Sequence, residues 1–269
     1  MADLKNKVVV ITGAANGLGK ALVSEFCRQG SMLVLLDVDI VGLEKIKGEL
    51  DRSEQKISIY QVDVSSEQEV IAARLDILNR HPRIDILINN AGVSISQYFM
   101  DIKQEDFKRI FDINFWGTVY CTRHFLPDMV KGGSRIVNII SGFALMGFPG
   151  KTAYGASKSA IMGFSNALKT ELASSGVNVC LVIPPPLDTG LVKNGKHIDA
   201  LKREQEVMFL KEKGQPLERT ARRIVRGIKH GKDRIVIGRM MFWTDLASRL
   251  FPTVLHMAIG KRKDRFDFL

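Results

Sequence analysis

The chain has 269 residues, 45% hydrophobic and 25% charged, enough to bury one large core and within the size at which α/β chains stay undivided. One domain spanning 1–269 is expected. Its three cysteines, Cys27, Cys121 and Cys180, lack a CxxC pair or a histidine at metal-ligand spacing, which argues against a disulfide framework or metal site and predicts buried thiols in a reducing compartment. Met1 to Lys7 holds no apolar run of signal-peptide length, so a cytoplasmic location is expected. The net charge of +10 is unevenly placed: residues 1–192 carry 20 Lys+Arg against 20 Asp+Glu, whereas residues 193–269 carry 19 against 9. Such a segment can attract nucleic acid, anionic lipid or an acidic substrate. Its charges are not interleaved with aromatic stacking residues, however, so it reads as a solvated face and no nucleic-acid partner is expected.

In chain order, short β-branched runs alternate with segments of helical period. The predicted strands are Lys7 to Thr12, Met32 to Asp37, Ile57 to Val62, Ile84 to Asn89, Arg135 to Ile140 and Val177 to Ile183. Continuous apolar runs such as Val8-Val9-Val10-Ile11 suit strands buried on both faces, as in a parallel sheet covered by helices. A helix from about Pro216 to Lys229 and a seventh strand from Arg234 to Ile237 follow. The fold class is α/β, a doubly wound, Rossmann-like parallel sheet with helices on both faces. Two places break the rhythm: a polar, charged segment from Leu187 to Gly214 and a tail from Gly238 to Leu269.

The first strand runs into Thr12-Gly13-Ala14-Ala15-Asn16-Gly17-Leu18-Gly19, and helical period begins at once. Glycines there allow a tight turn and let backbone N–H groups approach a pyrophosphate, while the helix N-terminus offers positive dipole to its charge. Gly13, Asn16, Gly17, Leu18 and Gly19 are the candidate phosphate-binding residues. A three-glycine loop also serves as a plain strand-to-helix turn; what favours a dinucleotide is Asp37, eighteen residues beyond Gly19 at the end of the second strand, where a carboxylate accepts hydrogen bonds from ribose hydroxyls and repels a 2′-phosphate. NAD is expected over NADP.

The strand Arg135 to Ile140 ends at Ser141, and a later helix contains Tyr154-Gly155-Ala156-Ser157-Lys158. Tyr and Lys four apart share a helical face, so the ammonium can sit beside the phenol. A phenol acting near pH 7 needs its pKa lowered by about three units, roughly 4 kcal/mol, and a fixed cation plus the positive nicotinamide ring are the expected sources. Ser141 stands at the carboxyl end of a central strand, where open α/β sheets bind ligands.

With these motifs in place, the chain resembles the short-chain dehydrogenase/reductase family. The resemblance rests on the loop Thr12 to Gly19, Asp63-Val64, Asn89-Asn90-Ala91-Gly92, Asn114 with Gly117, and Ser141, Tyr154 and Lys158, all in the family's order and approximate spacing, and it spans Lys5 to about Thr189. It implies that Asp63 and Val64 contact adenine, that Asn90 lies on the ribose side of the cofactor beside Ala91 and Gly92, that Lys158 binds the nicotinamide ribose, and that Asn114 sustains a water-linked proton relay to Lys158. The chain departs from the pattern at Pro184-Pro185-Pro186-Leu187-Asp188-Thr189, where the family has Pro-Gly before a threonine that holds the carboxamide. Proline fixes φ and removes an N–H, so the backbone there must differ, with Thr189 the candidate for the family's threonine.

The expected activity is hydride transfer between a nicotinamide cofactor and a secondary alcohol or ketone, with Tyr154 as acid/base, Ser141 holding the oxygen and no metal required. The loops near the chemistry are apolar at Phe143, Leu145, Met146, Phe148, Tyr98, Phe99, Met100, Leu187 and Leu191 and lack fixed basic partners. This favours a hydrophobic substrate, lipid-, steroid- or retinoid-like or 3-oxoacyl, over a phosphorylated sugar. Leu187 to Gly214, and within it Lys193 to Gly214, reads as a lid. The tail carries Met240-Met241-Phe242-Trp243 and further apolar residues before Lys261-Arg262-Lys263, interrupted by Asp245, Arg249 and Pro252, so it reads as a docking segment within a homodimer or homotetramer; peripheral contact with an anionic membrane is the alternative. A dinucleotide-binding scaffold without turnover is the competing function, and it has no use for Ser141, Tyr154 and Lys158 together.

Overall fold

The computed structural model describes residues 3–50, 57–129, 133–192, 195–197 and 199–261. Lys193, which opens the expected lid, and Arg262-Lys263 of the tail lie outside them. The first half runs β1 (Val8–Thr12), α1 (Gly17–Arg28), β2 (Met32–Asp37), α2 (Ile40–Leu50), β3 (Ile57–Gln61), α3 (Glu67–Arg80), β4 (Ile86–Asn89), β5 (Ile95–Ser96) and α4 (Gln104–Phe111). A π turn at Asp112–Trp116 then leads to α5 (Gly117–Met129), β6 (Arg135–Ile139), a short 3₁₀ turn at Gly142–Ala144, α6 (Thr152–Glu171), β7 (Asn178–Ile183) and β8 (Lys196–His197). The chain continues through α7 (Ala200–Lys213), α8 (Leu217–Lys229), β9 (Arg234–Val236), α9 (Arg239–Leu250) and α10 (Pro252–Gly260).

Seven strands form one parallel sheet in the order β3-β2-β1-β4-β6-β7-β9. The seven predicted strands are all present, with ends moved by no more than two residues. Their apolar runs are continuous because both faces are covered. Val9 and Ile11 of β1 point into a core shared with Leu22 and Phe26 of α1 and Ile224 and Ile228 of α8, whereas Val8 and Val10 point into one shared with Ile77 of α3 and Cys121 and Phe125 of α5, as the two-residue period of a strand requires. All three cysteines are buried; burial alone pushes the Cys121 thiol up to about 12.

The sheet is built outwards in both directions from β1 and β4, so the chain switches direction between those strands and leaves a crevice at their carboxyl ends, where open α/β sheets bind ligands. Two features around that edge carry no periodic signature. Residues β5 and β8, far apart in sequence, pair in parallel through Ile95↔Lys196 and Ser96↔His197; Gly195 permits this, since a Cβ there would lie 2.6 Å from the Ser94 carbonyl oxygen. The tail divides into two helices of different character. Met241 of α9 is buried against Ile140, Leu145 and Ile183, and Asp245 is buried between Arg234 and Arg249, so α9 docks on the body of its own chain. No residue of α10 is buried. Among the described residues no helix is long and apolar enough to cross a membrane.

Candidate active site

The glycine loop closes on itself at contacts that leave no room for side chains. A Cβ on Gly19 would lie 1.9 Å from the Gly13 carbonyl oxygen, and one on Gly13, itself at φ +63°, would lie 2.7 Å from Ala91 Cα. The loop is tied to β4 by Asn90, whose Nδ2 donates to the carbonyl oxygens of Thr12 and Gly13, both at 3.0 Å, while the main-chain N–H groups of Asn90 and Ala91 donate to Thr12 Oγ1. Asn90 thus has its amide nitrogen committed to holding the glycine loop against the end of β4. On the other side Asp37 Oδ2 accepts from the Ala15 N–H at 2.9 Å and Asp37 Oδ1 from that of Asp39 at 3.0 Å.

This loop delivers the N-terminus of α1 to the crevice with no side-chain cap and no acidic residue in the first turn. First-turn amides of a helix require an acceptor, and here the protein supplies no side chain for the purpose, which fits a phosphate. Leu18 contributes backbone only, since its side chain is in the core. Two carboxylates lie at the end of β2, Asp37 as its last residue and Asp39 two residues on; Asp39 Oδ2 accepts from Asn16 Nδ2 at 3.3 Å. Lys20, the lysine nearest the loop in sequence, pairs with Glu49 at 3.0 Å. The Asp63 carboxylate accepts from the Ser65 N–H and hydroxyl at 2.9 and 2.7 Å, turning the chain into α3. Val64 packs on α5 so closely that a Cβ on Gly117 would lie 2.7 Å from its Cγ2, which is why that position has to be glycine.

Further along the crevice, Ser141 caps the 3₁₀ turn, its Oγ accepting from the Phe143 N–H at 3.3 Å. Tyr154 and Lys158 lie buried on one face of α6, with the Lys158 ammonium 6.0 Å from the Tyr154 ring centre and donating to the Ile139 carbonyl at 3.1 Å. Asn114 is held in the π turn, where the Gly117 N–H reaches back to Asp112. Its Oδ1 accepts from the Val93 N–H at 2.8 Å, and its Nδ2 donates to the Val93 carbonyl and to Ser157 Oγ, both at 3.0 Å. Gly92 sits between these groups, for a Cβ there would be 3.1 Å from Asn114 Oδ1 and 3.3 Å from Lys158 Nζ. Fold and turns thus bring together Ser141, Tyr154, Lys158, Asn114 and Gly92 from four separate segments. A π turn cannot be read from periodicity, though such turns concentrate at functional sites.

The electrostatics of the pair are dominated by burial. Burial pushes the Tyr154 phenol up to about 12, opposed by its hydrogen bond with Ser141 and reinforced by the charge of Glu206, and burial pulls Lys158 down to about 8. Desolvation is the largest effect on the phenol of the cofactor-free protein; the positive nicotinamide ring expected to help lower it belongs to the cofactor-bound state.

The proline run after β7 leads to Thr189. Thr189 is pressed against the glycine loop, so that a Cβ on Gly17, at φ +53°, would lie 2.8 Å from its carbonyl oxygen and 2.9 Å from its Cβ. The proline run therefore returns Thr189 to the edge of the crevice.

A family profile for short chain dehydrogenases matches residues 7–199. The chain belongs to that family. SadH of Mycobacterium tuberculosis is 32% identical over 256 residues, covering 93% of this chain and 92% of that protein. The 3-oxoacyl-(acyl-carrier-protein) reductase FabG of Thermotoga maritima is 31% identical over 191 residues, 71% of this chain and 78% of that protein. In fold, a short chain dehydrogenase/reductase from Burkholderia phymatum, solved in complex with NAD, superposes with a TM-score of 0.87 at 24% identity, over 95% of this chain and 97% of that one. This short-chain dehydrogenase distributes its apolar loop residues unevenly. Phe143 meets Tyr154 edge-on at 6.1 Å and Phe148 at 5.1 Å, forming an aromatic wall. Leu145 and Leu187, by contrast, pack into the core, and Phe99 and Met100 are 63% and 88% exposed. The loops also contain a fixed cation that the sequence reading missed: Lys151, buried beside Phe143 and paired with Glu206.

Proposed function

We propose that this short-chain dehydrogenase reduces a hydrophobic ketone to a secondary alcohol with NADH, and that Tyr154 is its proton donor. The observation that carries the proposal is a buried phenol at the same edge as Ser141, with a buried ammonium 6.0 Å from its ring and a fixed asparagine nearby. When bound, NADH supplies the hydride. Tyr154 holds the proton at its phenol oxygen and passes it to the carbonyl oxygen, which a hydrogen bond from Ser141 keeps in place. Lys158, with Asn114 and Gly92 packed around it, places positive charge near the phenolate that forms, and it and the Asn90-Ala91-Gly92 turn would hold the nicotinamide ribose. The 3-oxoacyl reductase relatives favour the reducing direction; in oxidation the same phenol oxygen takes up the alcohol's proton.

The cofactor residues are Gly13, Asn16, Gly17, Leu18 and Gly19 at the pyrophosphate, Asp37 at the adenosine ribose, Asp63 and Val64 at adenine, and Thr189 near the carboxamide. NAD(H) is favoured by the two carboxylates at the end of β2, Asp37 and Asp39, and by Lys20 being paired with Glu49, since a 2′-phosphate needs an unpaired cation. The aromatic wall of Phe143 and Phe148 supports an apolar substrate, and the 3-oxoacyl reductase relatives put 3-oxoacyl compounds in the first test set.

The test is a panel of hydrophobic ketones, 3-oxoacyl thioesters included, assayed by loss of NADH absorbance for the wild type and Tyr154→Phe. The expected result is turnover of at least one ketone by the wild type and a loss of about 10²-fold or more in the variant, the usual worth of positioned proton transfer, with NADH affinity within a few-fold. A variant that keeps more than about a tenth of the rate removes Tyr154 from this role.

A further inference from the structure

Helix α7, the body of the expected lid, is attached in an unusual way. Of its residues only Glu206 is buried; Leu201 and Met208 are exposed and Val207, Phe209 and Leu210 half-buried, so the one fully buried anchor of the helix is a charge. The Glu206 carboxylate meets the Lys151 ammonium. Lys151 Nζ donates to Glu206 Oε1 at 2.6 Å and to Ser96 Oγ at 2.5 Å, and Ser96 Oγ donates to Glu206 Oε2 at 2.9 Å. The paired side chains are 1% and 2% exposed. His197 completes the cluster, with Nδ1 3.7 Å from Glu206 Oε2 and Nε2 3.1 Å from the Val192 carbonyl oxygen.

Lys151 is poorly placed for a cation. It occupies the N-cap of α6, where the helix dipole is positive, and burial pulls its ammonium below the ordinary lysine range, with Glu206 opposing. Two apolar side chains of similar volume would hold the helix at least as firmly. What charges provide in their place is ease of release, because an ammonium and a carboxylate that separate are each solvated by water, whereas a separated apolar contact is not. The cluster also adjoins the chemistry. Lys151 precedes Tyr154 by one helical turn, its Nζ lies 5.7 Å from the Phe143 ring centre, that ring meets Tyr154 at 6.1 Å, and the Glu206 charge reaches the Tyr154 phenol.

We propose that Lys151 and Glu206 are positioning residues that form a releasable clasp, docking α7 beside Phe143 and Tyr154 and thereby setting substrate affinity rather than the hydride-transfer step. The proposal rests on the ketone-reductase reading for its kinetic consequences only.

The test compares the wild type with Glu206→Gln, Lys151→Met and the double variant Lys151→Met/Glu206→Met. Hydrogen–deuterium exchange of the amides of residues 200–213 and NADH affinity are read without substrate, and kcat and KM with the best ketone of the panel. In either single variant α7 amides exchange about tenfold faster and KM rises about tenfold, kcat stays within about threefold and NADH affinity is unchanged, as expected when one partner of a buried pair is lost from a lid. The double variant restores slow exchange and the KM, and turns over about threefold or more slowly because an apolar contact reopens less readily. The proposal is overturned if Glu206→Gln leaves α7 exchange unchanged, if the double variant behaves like the singles or turns over as fast as the wild type, or if kcat and NADH affinity fall together. Absence of turnover by the wild type with every ketone defeats the ketone-reductase reading, while the exchange data still decide on the clasp.

Discussion

Replacing Gly19 by alanine probes how the fold presents its phosphate-binding edge. The new Cβ would stand 1.9 Å from the Gly13 carbonyl oxygen and 2.9 Å from Asn90 Nδ2. Contacts to a carbonyl oxygen shorter than about 3 Å are not tolerated, so α1 and the loop must part by about 1 Å, and a change of that size in a positioned group costs about 10²-fold. The obstacle is main chain, so no side chain can swing aside, and any retreat of Gly13 loosens the Asn90 hydrogen bonds that tie the loop to β4. The expected outcome is NADH affinity weakened by about 10²-fold, equivalent to roughly 2.7 kcal/mol, with a further 1–3 kcal/mol or so lost from stability through overpacking. Gly48 is the control: it lies within α2 with nothing within 4 Å of its would-be Cβ, so Gly48→Ala should gain about 0.5–1 kcal/mol from helix propensity. Titration of NADH by fluorescence and thermal melts by circular dichroism measure both. If Gly19→Ala binds NADH within threefold of the wild type, the argument that this close approach shapes the cofactor edge is refuted.

Two further outcomes follow from the same contacts. Asp37→Ala should narrow the preference for NADH over NADPH expected in calorimetry and weaken NADH, since it removes both the carboxylate proposed to hold the ribose and the hydrogen bond from the Ala15 N–H; equal or tighter NADPH binding to the wild type would defeat the NAD proposal. Truncation separates the two halves of the tail: ending the chain at Leu250 removes α10, none of whose residues is buried, and should leave the melting temperature unchanged while reducing self-association in sedimentation. Ending it at Ile237 also removes Met241 and Asp245 and should cost about 3 kcal/mol or more, as losing a buried apolar side chain and a buried ion-pair partner does.

What the sequence by itself determined is whatever is written in local pattern. The apolar runs identify the strands because a parallel strand is buried on both faces, the glycines of Thr12 to Gly19 mark a close backbone approach, and the four-residue spacing of Tyr154 and Lys158 places them on one face of α6. The tertiary structure alone decided the rest. Asn90 turns inward to the loop because Thr12 and Gly13 offer carbonyl oxygens that need donors, and Asn114 sits in a π turn that carries no repeat. Phe99 and Met100 face solvent, whereas Leu145 and Leu187 face the core, although all of them look alike in a loop. Lys151 and Glu206 are 55 residues apart and appear in the sequence as two ordinary surface charges; only the docking of α7 makes them a buried pair. The burial of Tyr154 is tertiary for the same reason: spacing shows which cation is near, but loss of water around the phenol, which raises its pKa, depends on everything that packs against a group rather than on its neighbours along the chain.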